Sequence, residues 1–205
     1  ALDNRATPML LYRLDGSFSV KRPRPHIMKT SQDTVDRILT AAEDVVIEVG
    51  AGHLTLDAVS ERAGVSKGGL LYHFPTKEAL IRGMIERLLE WFEQTRAEEA
   101  RKLPEGPGRE LKAHILSMSR PDPHIQRISA ALLAAAAFDP SLLEPVRESY
   151  RQVMARFSEG LDPQRAARLS LAMDGLWIME LLGLSPFEPR QREEFIQGLI
   201  EAAGA

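Results

Sequence analysis

The sequence predicts an all-α fold, and three observations support this. Apolar residues recur at steps of three and four through most of the chain, which is the period of an amphipathic helix. No stretch shows the sustained alternation that is typical of a half-buried strand. The periodic segments are separated by glycine, proline, or a residue whose side chain can cap a helix. A chain of 205 residues is long enough for a small head and a larger body.

Composition and charge exclude several classes of protein. The chain has no cysteine, which excludes disulfides, thiolate metal sites and a cysteine nucleophile. No apolar run is long enough to span a bilayer, so we expect a soluble cytoplasmic protein with no membrane partner. The net charge is -3, so any contact with nucleic acid must depend on where individual charges lie.

Residues 1–30 precede the first predicted helix. A basic stretch runs from Lys21 to Lys29 without an acidic residue. One interpretation is a leader left by cloning or by an upstream start codon, with Met28 as the natural start. The other is an extended arm that contacts DNA or protein, because proline disfavours helix in the residue before it.

The head is predicted over residues 31–78. Its first helix runs from about Asp33 and ends at Gly50, since glycine accepts the left-handed conformation common after a last turn. Three further helices begin at side chains that can cap them, and a glycine and a proline separate them. These residues are Thr55, Ser66 and Thr76 as caps, Gly64 as the turn, and Pro75 as the stop.

The second and third helices have the layout of a helix-turn-helix, namely a helix, a tight glycine turn and a short helix of small and polar residues. In that motif the second helix enters the major groove with its N-terminal residues facing the base edges. Residues 66–69 fit this role, because Lys67 is the one bulky side chain among them. Tyr72, His73 and Lys77 follow and can bind phosphates.

The continuous stretch from Leu54 to Leu80 resembles the TetR/AcrR family of transcriptional regulators in residues and spacing. The resemblance implies that Thr55 contacts a phosphate, that Ser66, Lys67, Gly68 and Gly69 face the bases, and that Tyr72, His73 and Lys77 contact phosphates. Leu71 stands where many members have a tyrosine, so either Tyr72 takes that role or one contact is absent. The two glycines leave few groups for base readout, so specificity depends on Lys67 and on DNA shape.

The body is predicted over residues 79–205, as helices separated by breakers such as Pro104–Gly108. The resemblance implies that the body binds a ligand and forms the dimer. The segment Leu169–Leu182 is apolar almost all the way round, and the final helix has a broad apolar stripe. We therefore expect a homodimer through the last two long helices, with Ala172 and Gly175 permitting close approach.

Large, adaptable side chains in the body are candidates for a pocket that takes an apolar or aromatic molecule, although core packing is the more common role for any one of them. The candidates are Met118, Phe138, Met154, Phe157, Met173, Asp174 and Trp177, with Met179 beside them.

Asp174 and Glu180 are acids within an apolar helix, and burial of an acid requires a partner. Arg127, Arg147 or a histidine could supply it, or Asp174 could receive a cationic ligand. His114 and His124 could join Asp174 at a metal, but no paired spacing supports such a site. We predict no metal and no cofactor.

These patterns predict a DNA-binding transcriptional regulator, a repressor that a small apolar or aromatic ligand releases from its operator. Its expected partners are double-stranded operator DNA, a second copy of the chain and an unidentified effector. An enzyme is not expected, because Glu-x-x-His pairs and a phosphate-binding glycine loop are missing. The alternative is a helical-bundle enzyme or interaction protein without a DNA role, which the excess of acidic residues in the head favours.

Overall fold

The computed structural model describes residues 10–12, 18–20, 31–120 and 122–204. Two short strands, β1 (Leu10–Tyr12) and β2 (Phe18–Val20), pair antiparallel with Leu10 opposite Val20. The sequence pattern did not predict this hairpin, because three residues are too few to establish an alternation. The basic stretch that begins at Lys21 lies outside the described residues, so the two interpretations of the leader stay open.

The remainder of the described chain is helical, which confirms the predicted class. The helices are α1 (Ser31–Val49), α2 (Leu56–Ala63), α3 (Lys67–His73), α4 (Lys77–Lys102), α5 (Arg109–Ser119), α6 (Pro123–Phe138), α7 (Glu144–Phe157), α8 (Pro163–Leu181) and α9 (Pro189–Ala202). Short 3₁₀ turns at Ala51–His53 and Pro140–Leu143 precede α2 and α7.

The caps predicted in the head are formed. The hydroxyl oxygen of Thr55 accepts a hydrogen bond from the backbone N–H three residues on, at 3.2 Å. Ser66 and Thr76 make the equivalent bonds at 3.0 Å. Gly64, between α2 and α3, has a φ of 61°, in the left-handed region that a residue with a side chain rarely adopts. Local chemistry therefore determines where α2, α3 and α4 begin.

The core of the head extends into the body. Val59 and Leu70 are fully buried beneath the helix-turn-helix and belong to one apolar cluster with residues of α1 and α4. Ile128 and Leu132 of α6 and Leu142 of the turn after it belong to the same cluster. The unit Val35–Ala205 is accordingly compact as a whole. The boundary predicted after residue 78 stays a prediction.

A second apolar cluster holds the body together. It is formed by α5, α7, α8, α9 and the residue after α9, and its buried members are Leu111, Ile115, Phe157, Ala166, Met173, Leu176, Ile196, Leu199 and Ala203. Within the described ranges, none of the helices combines the length and the apolar character that a membrane crossing requires.

A buried carboxylate joins three helices at the base of the head. Glu43 of α1 is 6% exposed and accepts a hydrogen bond from Nε of Arg87 in α4 at 2.8 Å. Arg87 also donates to the carbonyl of Asp36 at 3.2 Å and to the hydroxyl of Thr40 at 3.1 Å. His124 of α6 places Nε2 3.5 Å from the other Glu43 oxygen. The head is thus connected to α4 by an ion pair and to α6 by a polar contact, in addition to the apolar packing.

Candidate nucleic-acid interface and cavity

The outward side of helix α3 carries Gly68 and the side chains of Lys67 and Tyr72. Leu70 is its one fully buried residue and anchors it on the head. Lys67 and Gly68 are exposed, and nothing lies within 4 Å of the position that a Cβ of Gly68 would take. Gly69 faces the cap instead, since its Cβ would lie 3.2 Å from the hydroxyl oxygen of Ser66. The first turn of α3 is therefore narrow enough for a groove.

The cap residues can serve a helix and a phosphate together. A hydroxyl has one donor hydrogen and two acceptor lone pairs, and capping uses a lone pair. Thr55 and Ser66 are exposed, so the hydrogen of each hydroxyl is free to bind an anion from outside. The structural role of these two residues does not exclude the DNA contacts that the resemblance implies.

The cations of this surface already have partners within the protein. Lys67 Nζ lies 2.8 Å from an oxygen of Asp57 on α2, and the two side chains are 58% and 71% exposed. Lys77 donates to the carbonyl of Gly52 at 2.9 Å. Exposed pairs contribute little stability, so a phosphate or a base edge can displace Asp57 from Lys67. No pattern in the sequence indicated that Asp57 is part of this site.

Tyr72 and His73 close the far end of α3 with their rings edge to face, 5.0 Å apart. The side chain of Tyr72 is 83% exposed, whereas Leu71 before it is 37% exposed. This difference favours the interpretation in which Tyr72 provides the contact that leucine cannot make.

A cavity of about 290 Å³ lies in the body between α4, α5, α7 and α8. Four predicted residues lie on its wall: Met118, Phe157, Asp174 and Trp177. The remaining wall residues are Leu89, Phe92, Glu93, Arg96, His114, Ser117, Val146, Ser149, Tyr150, Val153 and Ile178.

The other predicted pocket residues lie elsewhere. Phe138, the last residue of α6, is 93% exposed, whereas Met173 is fully buried in the second apolar cluster. Met154 packs against that cluster, and Met179 lies on the exposed side of α8. Because α8 is apolar almost all round, its sequence pattern did not reveal which side faces the cavity.

Asp174 contributes a carboxylate to the cavity wall. One carboxylate oxygen lies 2.9 Å from Nε2 of His114, and the other accepts from the hydroxyls of Tyr150 and Ser170, each at 3.3 Å. Burial and the nearby Asp174 carboxylate both raise the pKa of Tyr150, outweighing an opposing hydrogen bond from Ser170. Of the partners predicted for Asp174, which were Arg127, Arg147 or a histidine, the structure has a histidine, His114.

Glu180 has a different partner from those predicted. Arg192 of α9 binds it, with Nη2 3.1 Å from the carboxylate, and also donates to the carbonyl of Ser119 at 3.0 Å. Arg127 instead donates to a backbone carbonyl of its own helix, and Arg147 pairs with a glutamate three residues before it. The pairing across helices α8 and α9 depends on tertiary packing, which sequence spacing does not specify.

A network of two arginines and two glutamates borders the cavity, and two of its members, Glu93 and Arg96, lie on the cavity wall. Glu93 accepts two hydrogen bonds at 2.9 Å from Arg156, and two from Arg96 at 2.6 and 3.3 Å. Arg96 is 5% exposed and also pairs with Glu110. Burial alone raises the pKa of Glu93, but the two arginines outweigh that effect and lower it. The signal in the sequence that could have indicated this network is Glu93 and Arg96, an oppositely charged pair three residues apart on α4.

The three residues considered for a metal site are not brought together. His124 faces Glu43 at the base of the head, away from the pair formed by His114 and Asp174. In the part of the chain that the structure describes, no group of three or more histidine, aspartate or glutamate side chains is arranged to hold a metal ion.

A second chamber of about 190 Å³ adjoins the first and extends towards α6. The two share Leu89, Phe92, Val146, Trp177 and Ile178 as wall residues. The second chamber is apolar except for Ser129, whose buried hydroxyl has no hydrogen-bond partner among the described residues. Since α6 also packs against the head, the cavity and the head share a helix.

Two protein-family models match the chain. The model for bacterial regulatory proteins of the tetR family matches residues 38–84, and the model for the tetracyclin repressor-like C-terminal domain matches residues 108–204. The chain is also similar to the HTH-type transcriptional regulator RutR of Escherichia coli (strain K12), with 34% identity over 101 residues. The match covers 49% of this chain and 48% of RutR, so the chain spans about half the length of this curated relative.

Solved structures of similar proteins have the same fold. A member of the TetR family from Streptomyces coelicolor A3 has a TM-score of 0.66 and 27% identity, covering 82% of this chain and 98% of its own. The multidrug binding protein EbrR complexed with imidazole has a TM-score of 0.63 and 28% identity, covering 87% of this chain and 96% of its own.

Proposed function

Because the chain belongs to the TetR family of transcriptional regulators, we propose that it is a repressor that leaves its operator when a small molecule occupies the cavity of its body. The observation that carries this proposal is the outward first turn of α3, where Lys67 and Gly68 are exposed and the caps keep free donor hydrogens. The cavity between α4, α5, α7 and α8 supplies a place for the effector.

An apolar or aromatic effector fits the cavity best. Most of the wall is formed by leucine, valine, isoleucine, methionine and aromatic side chains, with a few polar groups that can orient a ligand. EbrR, which is similar along most of its length, is a multidrug binding protein with imidazole in its structure. This likeness supports a small-molecule effector for the present chain.

We also propose that the repressor is a homodimer in which α8 supplies the contact. Leu171, Ile178 and Leu182 are 59%, 41% and 54% exposed, and with Gly175 they form one stripe at helical spacing. No atom of the described residues lies within 4 Å of a Cβ built at Gly175, so another helix can approach closely there. Leu199 of α9, by contrast, is buried in the core of its own chain and is not available for the contact.

The proposed function is tested with DNA from the region upstream of the chain's own gene. Fluorescence anisotropy of labelled fragments should show one fragment that binds much more tightly than random DNA of equal length. Specific sites typically bind about 10³- to 10⁷-fold more tightly than non-specific DNA. Equal binding to all fragments would instead support an interaction protein whose acid-rich head has no DNA role.

Lys67→Ala is expected to weaken binding to the operator more than binding to random DNA. A lysine at the start of the recognition helix can reach the acceptors of guanine, a contact that contributes about 1–3 kcal/mol of discrimination. The matched variant Asp57→Asn frees the lysine and should strengthen operator binding, because it removes a competing carboxylate. Equal losses on both DNAs for Lys67→Ala would reduce its role to that of a phosphate contact.

Lys77→Ala is expected to weaken binding evenly across sequences. Loss of one phosphate contact should lower the slope of log K against log salt concentration by about one unit. Titrations at several salt concentrations measure this slope, with Lys112→Ala on the body as a control that leaves it unchanged. An unaltered slope for Lys77→Ala would place this residue outside the interface.

A further inference from the structure

The charge of the effector can be inferred from the acids on the cavity wall. This inference rests on the proposed function, because it names the class of ligand for the same cavity. Glu93 and Asp174 are the acidic residues of that wall. Arginines bind Glu93, whereas an imidazole and two hydroxyls surround Asp174.

The charge of Glu93 is already compensated. Arg156 and Arg96 both donate to its carboxylate, and Arg96 is shared with Glu110. Two guanidinium groups therefore face two carboxylates, and this side of the cavity is neutral as a unit. Among the residues that the structure describes, Arg96 is the one arginine on the wall, and with two acids bound to it there is little positive charge left for an anionic ligand.

Asp174 has no such compensation. Within the described part of the chain, no arginine or lysine forms an ion pair with it, and its partners are the imidazole of His114 and the hydroxyls of Tyr150 and Ser170. The two hydroxyl bonds are long, at 3.3 Å. The negative charge of Asp174, together with burial, raises the pKa of the neighbouring Tyr150. A partly buried carboxylate in this state gains free energy when a cation binds it.

Aromatic rings lie next to this carboxylate. Trp177 follows Asp174 by three residues on α8, so the two side chains are neighbours on the same face. Phe92 of α4 meets Trp177 edge to face with ring centres 5.8 Å apart, and both rings line the cavity. A cation beside such rings is attracted by their electron-rich faces in addition to the carboxylate.

We infer that the cavity takes a ligand with a protonated amine on an aromatic body, with the amine at Asp174 and the ring against Trp177 and Phe92. An anionic ligand at His114 is disfavoured, because the Asp174 carboxylate lies 2.9 Å from the same imidazole. A neutral aromatic ligand would fill the apolar part of the cavity and leave the carboxylate without a cation.

The experiment uses three probes with one aromatic body and different charges: 2-(2-naphthyl)ethylamine, 2-(2-naphthyl)ethanol and 2-naphthylacetate. Calorimetric titration of the full chain at neutral pH should show that the amine binds at least about tenfold more tightly than the alcohol, as for a hydrogen bond to a charged group. The Asp174→Asn variant should lose this preference and keep the affinity for the alcohol.

Two further variants keep the test decisive. Tyr150→Phe leaves the carboxylate in place with one donor fewer, so its preference for the amine should be retained or increased. Glu148→Gln removes an acid from the exposed side of the same helix and should change no affinity. The affinity for the alcohol and the thermal midpoint report whether each variant is folded.

The outcomes separate this inference from the proposed function. Equal or tighter binding of the alcohol or the acetate, binding of none of the three probes, or a preference for the amine that survives Asp174→Asn would overturn the inference. If the alcohol releases operator DNA as well as the amine does, the repressor function stands and the inference fails. If the amine binds through Asp174 without changing operator affinity, the inference stands and the ligand-released repressor fails.

Discussion

Glu43→Ala is expected to lower the free energy of unfolding by about 3 kcal/mol, because it removes the acid from a largely buried ion pair and leaves its guanidinium uncompensated. Glu43 is nearly inaccessible, and the side chain of Arg87 is 25% exposed. Urea denaturation followed by circular dichroism, at one fixed protein concentration, measures the loss.

Glu48→Ala is the matched control, since it removes a glutamate from the same helix that also pairs with an arginine. The pair of Glu48 and Arg62 is exposed, so its loss should change stability little. The double variant Glu43→Ala, Arg87→Met should recover part of the loss, because no charge is then left unpaired. Equal losses at Glu43 and Glu48 would show that the burial of Glu43 has no energetic consequence.

The double substitution of Leu171 and Leu182 by arginine is expected to yield folded monomers whose operator affinity falls by about 100-fold or more, since bivalent binding is lost. Leu171 is exposed on α8 and Leu182 is exposed at its C-cap, and both are absent from the two apolar clusters, so the chain's own core should be unaffected. Sedimentation velocity measures the oligomeric state, and anisotropy with operator DNA measures the affinity.

Leu133→Arg on α6 is the control for an exposed leucine outside the proposed contact, because its side chain is 43% exposed. This variant should remain dimeric. If it becomes monomeric while the α8 variant stays dimeric, the interface lies on α6. Substitution of Leu199 would not test the contact, because a charge at that buried position disrupts the core of the single chain.

Most of the head could be predicted from the sequence because its determinants are local. A cap acts on the backbone N–H three residues away, and Gly64 determines its own backbone conformation. The burial of Leu70 also follows from the helical spacing. The pairing of Lys67 with Asp57 could not be predicted, because the distance between two exposed side chains on different helices depends on how α2 and α3 pack.

The cavity shows where sequence information ends. Helix α8 has three faces: Met173 and Leu176 enter the core, Asp174 and Trp177 face the cavity, and Leu171 is exposed. All three faces are largely apolar, so the periodicity did not indicate which face enters the core, which lines the cavity and which stays exposed. The prediction therefore included the core residue Met173 and missed Tyr150, which reaches the cavity from α7.

By itself the sequence determined the helical class and the starts of α2, α3 and α4, because each depends on interactions within a few residues of the chain. Only the tertiary structure decided which side chains surround Asp174, which arginines compensate Glu93, and which face of α8 stays uncovered. These properties depend on the distances between helices that are far apart in the chain. Which charges stay uncompensated and which apolar surface stays uncovered is decided only when those helices pack together.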